Sequence, residues 1–115
     1  MGLIVLFSVP NQAPNIVEAN STTATSIDLK WSEVTELNSA QLLGYIIIYK
    51  ETGKKFQADN MKSVPSTPTE AVLEDLKIFT NYTIRVYAFN ENGNGVPSEA
   101  VSLRTQEHGT LMFLQ

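Results

Sequence analysis

Four stretches of the chain alternate apolar and polar residues with a period of two. Ile27, Leu29 and Trp31 fall on one side, with Asp28 and Lys30 between them. Tyr45, Ile47 and Tyr49 lie within an unbroken apolar run, Tyr45-Ile46-Ile47-Ile48-Tyr49. Tyr82, Ile84, Val86 and Ala88 alternate with Thr83, Arg85, Tyr87 and Phe89, and Val101 and Leu103 alternate with Ser102 and Arg104. A period of two in residues rich in β-branched and aromatic side chains predicts half-buried strands. Weaker candidates run from Asn15 to Ala19, Phe56 to Met61 and Ala71 to Leu73. The sum is seven strands and no helix. Pro10, Pro14, Pro65, Pro68 and the Asn92-Gly93-Asn94-Gly95-Val96-Pro97 stretch mark where elements cannot run. Short strands at this spacing predict a two-sheet sandwich.

An immunoglobulin domain carries a Cys pair around a Trp, and this chain has no Cys. A second hallmark is present. Tyr82 opens a strong strand shortly after Leu76, with Ile84 two residues on, where an immunoglobulin domain has its second Cys. That spacing predicts a tyrosine corner, in which the phenol bonds back to upstream backbone. The order Pro14, Trp31, Gly44-Tyr45-Ile46-Ile47-Ile48-Tyr49, Leu76-Thr80-Tyr82, then Asn90, Gly93, Gly95, Ser98 and Thr105 resembles a fibronectin type III domain. The resemblance covers roughly residues 10–106. It implies an all-β, seven-stranded antiparallel immunoglobulin-like β-sandwich with Greek-key connections and no disulfide, with Trp31, Tyr45, Leu76 and Tyr82 in the core. Two departures stand out. Ile78 and Phe79 occupy the turn where the family usually carries Pro and Gly, which predicts a more apolar, less rigid turn. The family's Arg-Gly-Asp is absent from the last hairpin, and so is the Trp-Ser-x-Trp-Ser signature of cytokine receptors.

The ends stand outside this pattern, which divides the chain into an apolar leader (1–9), the domain (10–106) and a tail (107–115). Met1 to Phe7 is too short to span a bilayer, which takes about 20 residues. It lacks the basic leader of a signal peptide and reads as upstream sequence or an isoform start. No membrane insertion by this segment is expected. The tail residues Leu111 to Gln115 are also apolar, and both ends are strand-prone.

Composition removes whole classes of function. The chain has 115 residues, enough for one domain with its own core. Eight Lys and Arg against 12 Asp and Glu give a net charge of −4, which argues against nucleic acid. Without Cys there is no zinc finger, thioredoxin-like motif or cysteine nucleophile. The only His, His108, lies in the tail beside Glu107 and Gly109. The acidic pairs Glu33/Glu36 and Glu74/Asp75 fall in turns and read as solvated charges. Gly93-Asn94-Gly95 precedes no helix, so it reads as a hairpin turn rather than a phosphate loop. No catalytic residue, metal or cofactor is expected.

Two sequons, Asn20-Ser21-Thr22 and Asn81-Tyr82-Thr83, are candidate glycosylation sites. Asn20 is expected in a Ser/Thr-rich connection between the first two strands, and Asn81 on the outward side of Tyr82. Together with the resemblance they imply an extracellular or cell-surface setting, as an ectodomain of a larger protein. The alternation also places Ile46, Ile48, Tyr87 and Phe89 on an outward face, and contiguous apolar surface of this kind marks an interaction site. Two loops expected at one end of the sandwich, Ser32 to Leu42 and Asn90 to Gly95, add Asn92, Gly93 and Asn94 as candidate contacts. The expected function is a non-catalytic protein-interaction or adhesion module. Its partner would be another protein, a neighbouring domain of the same chain or, weakly, a second copy. The alternatives are a passive spacer in a tandem array and an accessory domain of a larger enzyme such as a receptor phosphatase.

Overall fold

The inward residues of the alternating stretches meet in one core between two antiparallel sheets. A computed structural model describes residues 8–35, 41–57 and 60–107. One sheet has the order β1 (Ile16–Thr23), β2 (Ser26–Trp31), β5 (Glu70–Leu73). The other has the order β4 (Met61–Pro65), β3 (Leu42–Glu51), β6 (Asn81–Asn90), with β7 (Gly93–Asn94) and β8 (Val101–Arg104) both paired to β6. No helix occurs among the described residues. The chain changes sheet between β2 and β3, β4 and β5, and β5 and β6, which makes the connections Greek-key in type.

Strand count is eight rather than seven, because the last strand is split. Pro97 has no N–H to give to a ladder. Between β7 and β8, Ser98 substitutes. Its backbone N–H donates to the Val86 carbonyl at 2.7 Å, and its hydroxyl accepts from the Val86 N–H at 3.0 Å.

Two other boundaries differ from the sequence pattern. The strand expected at Phe56 to Met61 begins at Met61 and runs to Pro65. Phe56 lies outside it, exposed beneath the Lys50 ammonium at 4.9 Å. Pro65 ends a strand because β4 is an edge, where one missing N–H costs no ladder bond. Asn20 does not lie in a connection. It is within β1, directly opposite Asp28, and the turn is the short Ala24-Thr25 that follows Thr23. The Thr23 and Ser26 hydroxyls close that turn at 2.6 Å, so a Ser/Thr-rich stretch serves as strand and strand end.

Trp31, Tyr45, Leu76 and Tyr82 all lie in the core, with Ile27, Leu29, Ile47, Leu73, Ile84 and Val86 fully enclosed around them. Each full burial of such an aliphatic side chain contributes about 1.5–3 kcal/mol. Trp31 and Tyr45 meet edge to face at 5.4 Å. The Tyr45 hydroxyl accepts from the Val34 N–H at 2.8 Å, so one core phenol fixes the start of the β2–β3 loop. Burial pushes this phenol above its ordinary pKa, Val34's hydrogen bond opposes the rise, and the Glu33 charge adds to it.

At the other end, the Tyr82 hydroxyl accepts from the Lys77 N–H at 2.9 Å, which is the upstream backbone bond expected of a tyrosine corner. Thr105 reinforces it, its hydroxyl donating to the Lys77 carbonyl at 2.6 Å. Phe79 in this turn has φ of 49°, the left-handed region that side chains avoid. Its exposed ring lies under the Arg104 guanidinium, 4.6 Å from the centroid. Along the open edges, the Lys62 ammonium on β4 crosses the gap between the sheets and donates to the Val72 carbonyl on β5 at 2.8 Å.

Candidate functional site

The outer face of the five-stranded sheet is built by register. Ile46 sits opposite Tyr87 on β6 and Ser63 on β4; Ile48 sits opposite Arg85 and Met61; Gly44 sits opposite Phe89 and Pro65. Directly opposed residues share a face, with Cβ atoms about 4.5–5.5 Å apart. Gly44 is required for this packing. A side chain there would meet the Val64 carbonyl, and its Cβ would lie 3.0 Å from the Phe89 ring. Phe89 thus fills the space that Gly44 leaves.

Ile46, Ile48, Tyr87 and Phe89 are brought together, and all four are half-buried rather than bare, because each leans on its cross-strand neighbour. Burial raises the Tyr87 phenol above its ordinary pKa. Asn94 joins the same face, opposite Phe89 through the β6–β7 pairing. Met61, 43% exposed beside Ile48, is a member that sequence reasoning missed. The signal for it was present but unreadable, since it depends on the β3–β4 register. The charged residues at outward positions of this sheet are Arg85, Lys50 opposite Thr83, and Arg104 opposite Asn81. All three are cations.

The other candidate contacts separate from this face. Asn92 and Gly93 are half-covered by the segment around Ser8 and Val9. The end loops do lie together, since Leu42 and Asn90 are partners, although residues 36–40 fall outside the described residues. Asn20 is exposed on the outer face of the three-stranded sheet. It borders a groove of about 430 Å³ that Glu18, Asp28, Lys30 and Glu70 also line. Asn81 is exposed, and its Oδ1 accepts from Arg104 Nε at 3.3 Å. The Thr83 hydroxyl of that sequon lies between those of Thr52 (2.8 Å) and Ser102 (2.9 Å).

For chemistry of the acid–base kind, Glu33, Glu74 and Asp75 are exposed turn residues, while His108 and Glu36 fall outside the described residues. Among the described residues no group of three or more His, Cys, Asp or Glu gathers to hold a metal. Among the described residues no helix is long and apolar enough to cross a membrane.

The family model for the fibronectin type III domain matches residues 12–104. The chain is a fibronectin type III domain. Human cell adhesion molecule DSCAM is 34% identical over 103 residues, 89% of this chain and 5% of that protein. Human contactin-3 is 32% identical over 99 residues, 85% of this chain and 10% of that protein. The solution structure of the fn3 domain of human contactin 1 matches with a TM-score of 0.77 at 29% identity, covering 95% of this chain and 92% of that one. This fibronectin type III domain therefore spans a small fraction of the curated relatives it matches, and its relatives include cell adhesion molecules.

Proposed function

We propose that this fibronectin type III domain is a non-catalytic, protein-binding module of an extracellular or cell-surface adhesion protein. It binds through the outer face of the five-stranded sheet. The observation that carries the reading is the in-register set Ile46, Ile48, Tyr87 and Phe89, extended by Met61 and flanked by Lys50, Arg85 and Arg104. Contiguous apolar surface is rarely left without a partner. The flanking charges select one kind of partner. Two copies meeting face to face would bring like cations together, whereas a surface with an apolar centre and carboxylates at its rim complements this one.

The magnitude sets the mode of action. Fully burying such a side chain contributes about 1.5–3 kcal/mol, and these four are already half-buried, so roughly 4 kcal/mol remains. Association costs about 4–15 kcal/mol, so the apolar gain alone at best breaks even; charge complementarity at the rim has to supply the surplus, and the single contact is weak. Weak contacts suit adhesion, where many copies act together and avidity multiplies them. The relatedness to DSCAM and contactin-3 supports this reading, and N-glycans on Asn20 and Asn81 would fit it, since both side chains are exposed.

Fluorescent tetramers of the domain applied to cultured cells test it, alongside an Ile48→Ser/Tyr87→Ser double variant. Wild-type staining that falls at least about tenfold in the double variant, at an unchanged fold, is the expected result. Equal staining by both would sink the face as the binding surface, and no staining by either would leave the domain a spacer.

A further inference from the structure

Gly95 has no conformational reason to be glycine, because its backbone lies outside the left-handed region that Gly93, with φ of 139°, occupies. Its reason is Pro10. A side chain on Gly95 would run into the Pro10 carbonyl oxygen and Cβ. One residue earlier, Val9 Cγ1 lies 3.2 Å from where a Gly93 side chain would begin. Earlier still, the Ser8 carbonyl accepts two side-chain amides, from Asn90 Nδ2 and Asn92 Nδ2, each at 2.9 Å. Asn90 is buried at 4% exposure, and its Oδ1 accepts from the Asn92 backbone N–H at 2.8 Å. One side chain therefore grips the incoming segment with its nitrogen and shapes the turn with its oxygen. Gln12 Oε1 adds a bond from the Thr35 N–H at 2.9 Å, so the same segment also touches the β2–β3 loop.

We propose that Ser8–Pro10 is a strap that fixes the shape of the Asn90–Gly95 turn. The end of the sandwich and the chain that leads into it then behave as one mechanical unit. Displacing the strap loosens the turn, and any ligand that reshapes the turn loosens the strap. The turn is not a free recognition loop; its conformation depends on how the preceding segment is seated.

Two single substitutions in the full chain test this by NMR amide exchange. Gly95→Ala places a methyl group in Pro10's position without straining its own backbone. Asn92→Ala removes one amide from the Ser8 carbonyl and adds nothing. In Gly95→Ala, Val9 and Pro10 resonances should shift, and exchange at Asn92 and at the amide of position 95, corrected for intrinsic rate, should rise about tenfold, the effect of losing one net hydrogen bond. Amides of Ile47 and Ile84 should stay as protected as before. Asn92→Ala should accelerate exchange at Gly95 by a few-fold in the same direction. A strap that shifts while turn exchange is unchanged would overturn the proposal, as would a strap that Gly95→Ala leaves in place. If Gly95→Ala unfolds the whole sandwich, Asn92→Ala decides alone, and unchanged exchange there refutes the strap.

Discussion

The two outer faces of the sandwich cover one core and yet differ in kind. The three-stranded sheet turns Glu18, Asn20, Asp28, Lys30 and Glu70 outward in register, a mostly polar surface that includes Val72, a large apolar side chain opposite Asp28. The five-stranded sheet turns out Ile46, Ile48, Tyr87 and Phe89, half-buried against each other. Inward, both present the same chemistry, with Ile27 and Leu29 on one sheet and Ile47, Ile84 and Val86 on the other, all fully enclosed. The fold is therefore specified from inside, where the two sheets are alike. The outward residues are released from that task and can specialise. A sandwich hosts different functions because half of every strand is unconstrained by the core.

The largest effect should come from inside. Ile47→Ala or Ile84→Ala should lower stability by about 2–5 kcal/mol in urea unfolding, whereas Ile46→Ala, one residue away on the half-buried side, should cost only about 1 kcal/mol. Equal losses at Ile46 and Ile47 would break the distinction between faces. Next in size is the tyrosine corner. Tyr82→Phe keeps the ring and strips the acceptor from the Lys77 N–H, so a loss of about 1–2 kcal/mol is expected, with amide exchange at Lys77 accelerated.

The smallest effect lies at the rim, where neither face reaches. Glu51 ends β3 and holds Lys77 at 2.8 Å and Lys54 at 3.3 Å. The Lys77 hydrogen bond, above all, holds its carboxyl below the usual range. A depressed folded-state pKa contributes stability that is full above the unfolded value and lost as pH falls through the folded one. The Lys77 ammonium is raised by the same pair, so its share is full below its unfolded value and fades as pH rises through the folded one. Both groups are solvent-screened, and a slight flattening of the acid limb in Glu51→Gln, followed by thermal unfolding against pH, is the expected outcome.

What the sequence made legible follows from period and burial. The alternation at Ile27-Leu29-Trp31 and at Tyr82-Ile84-Val86-Ala88 matches strands whose inward residues are enclosed, because a strand with one buried face has little choice of residue there. The tyrosine corner was legible because one phenol must meet one backbone N–H at a fixed spacing. The β4 boundary was not, since an edge strand buries little and Pro65 reads as a breaker until the edge is known. Asn20 was misplaced for a related reason: Ser and Thr on an edge strand's outer side resemble a loop. The apolar outer face was half legible. Parity within β3 and β6 gave four of its side chains, but Met61 and Asn94 enter through pairing between strands, which no single stretch encodes. The grip of Asn90 and Asn92 on Ser8 joins residues that lie 82 and 84 positions apart in sequence and left no local mark except two glycines.

The Lys62–Val72 bond bears on how the sheet edges meet other strands. β4 and β5 each form one edge of their sheet, and an unpaired carbonyl on such an edge is a template for a foreign strand. With the ammonium of Lys62 bonded to it, the Val72 carbonyl already has a donor, and an approaching strand would have to displace a charge to gain one hydrogen bond. A single lysine bridging these two edges thus raises the cost of strand addition at that site.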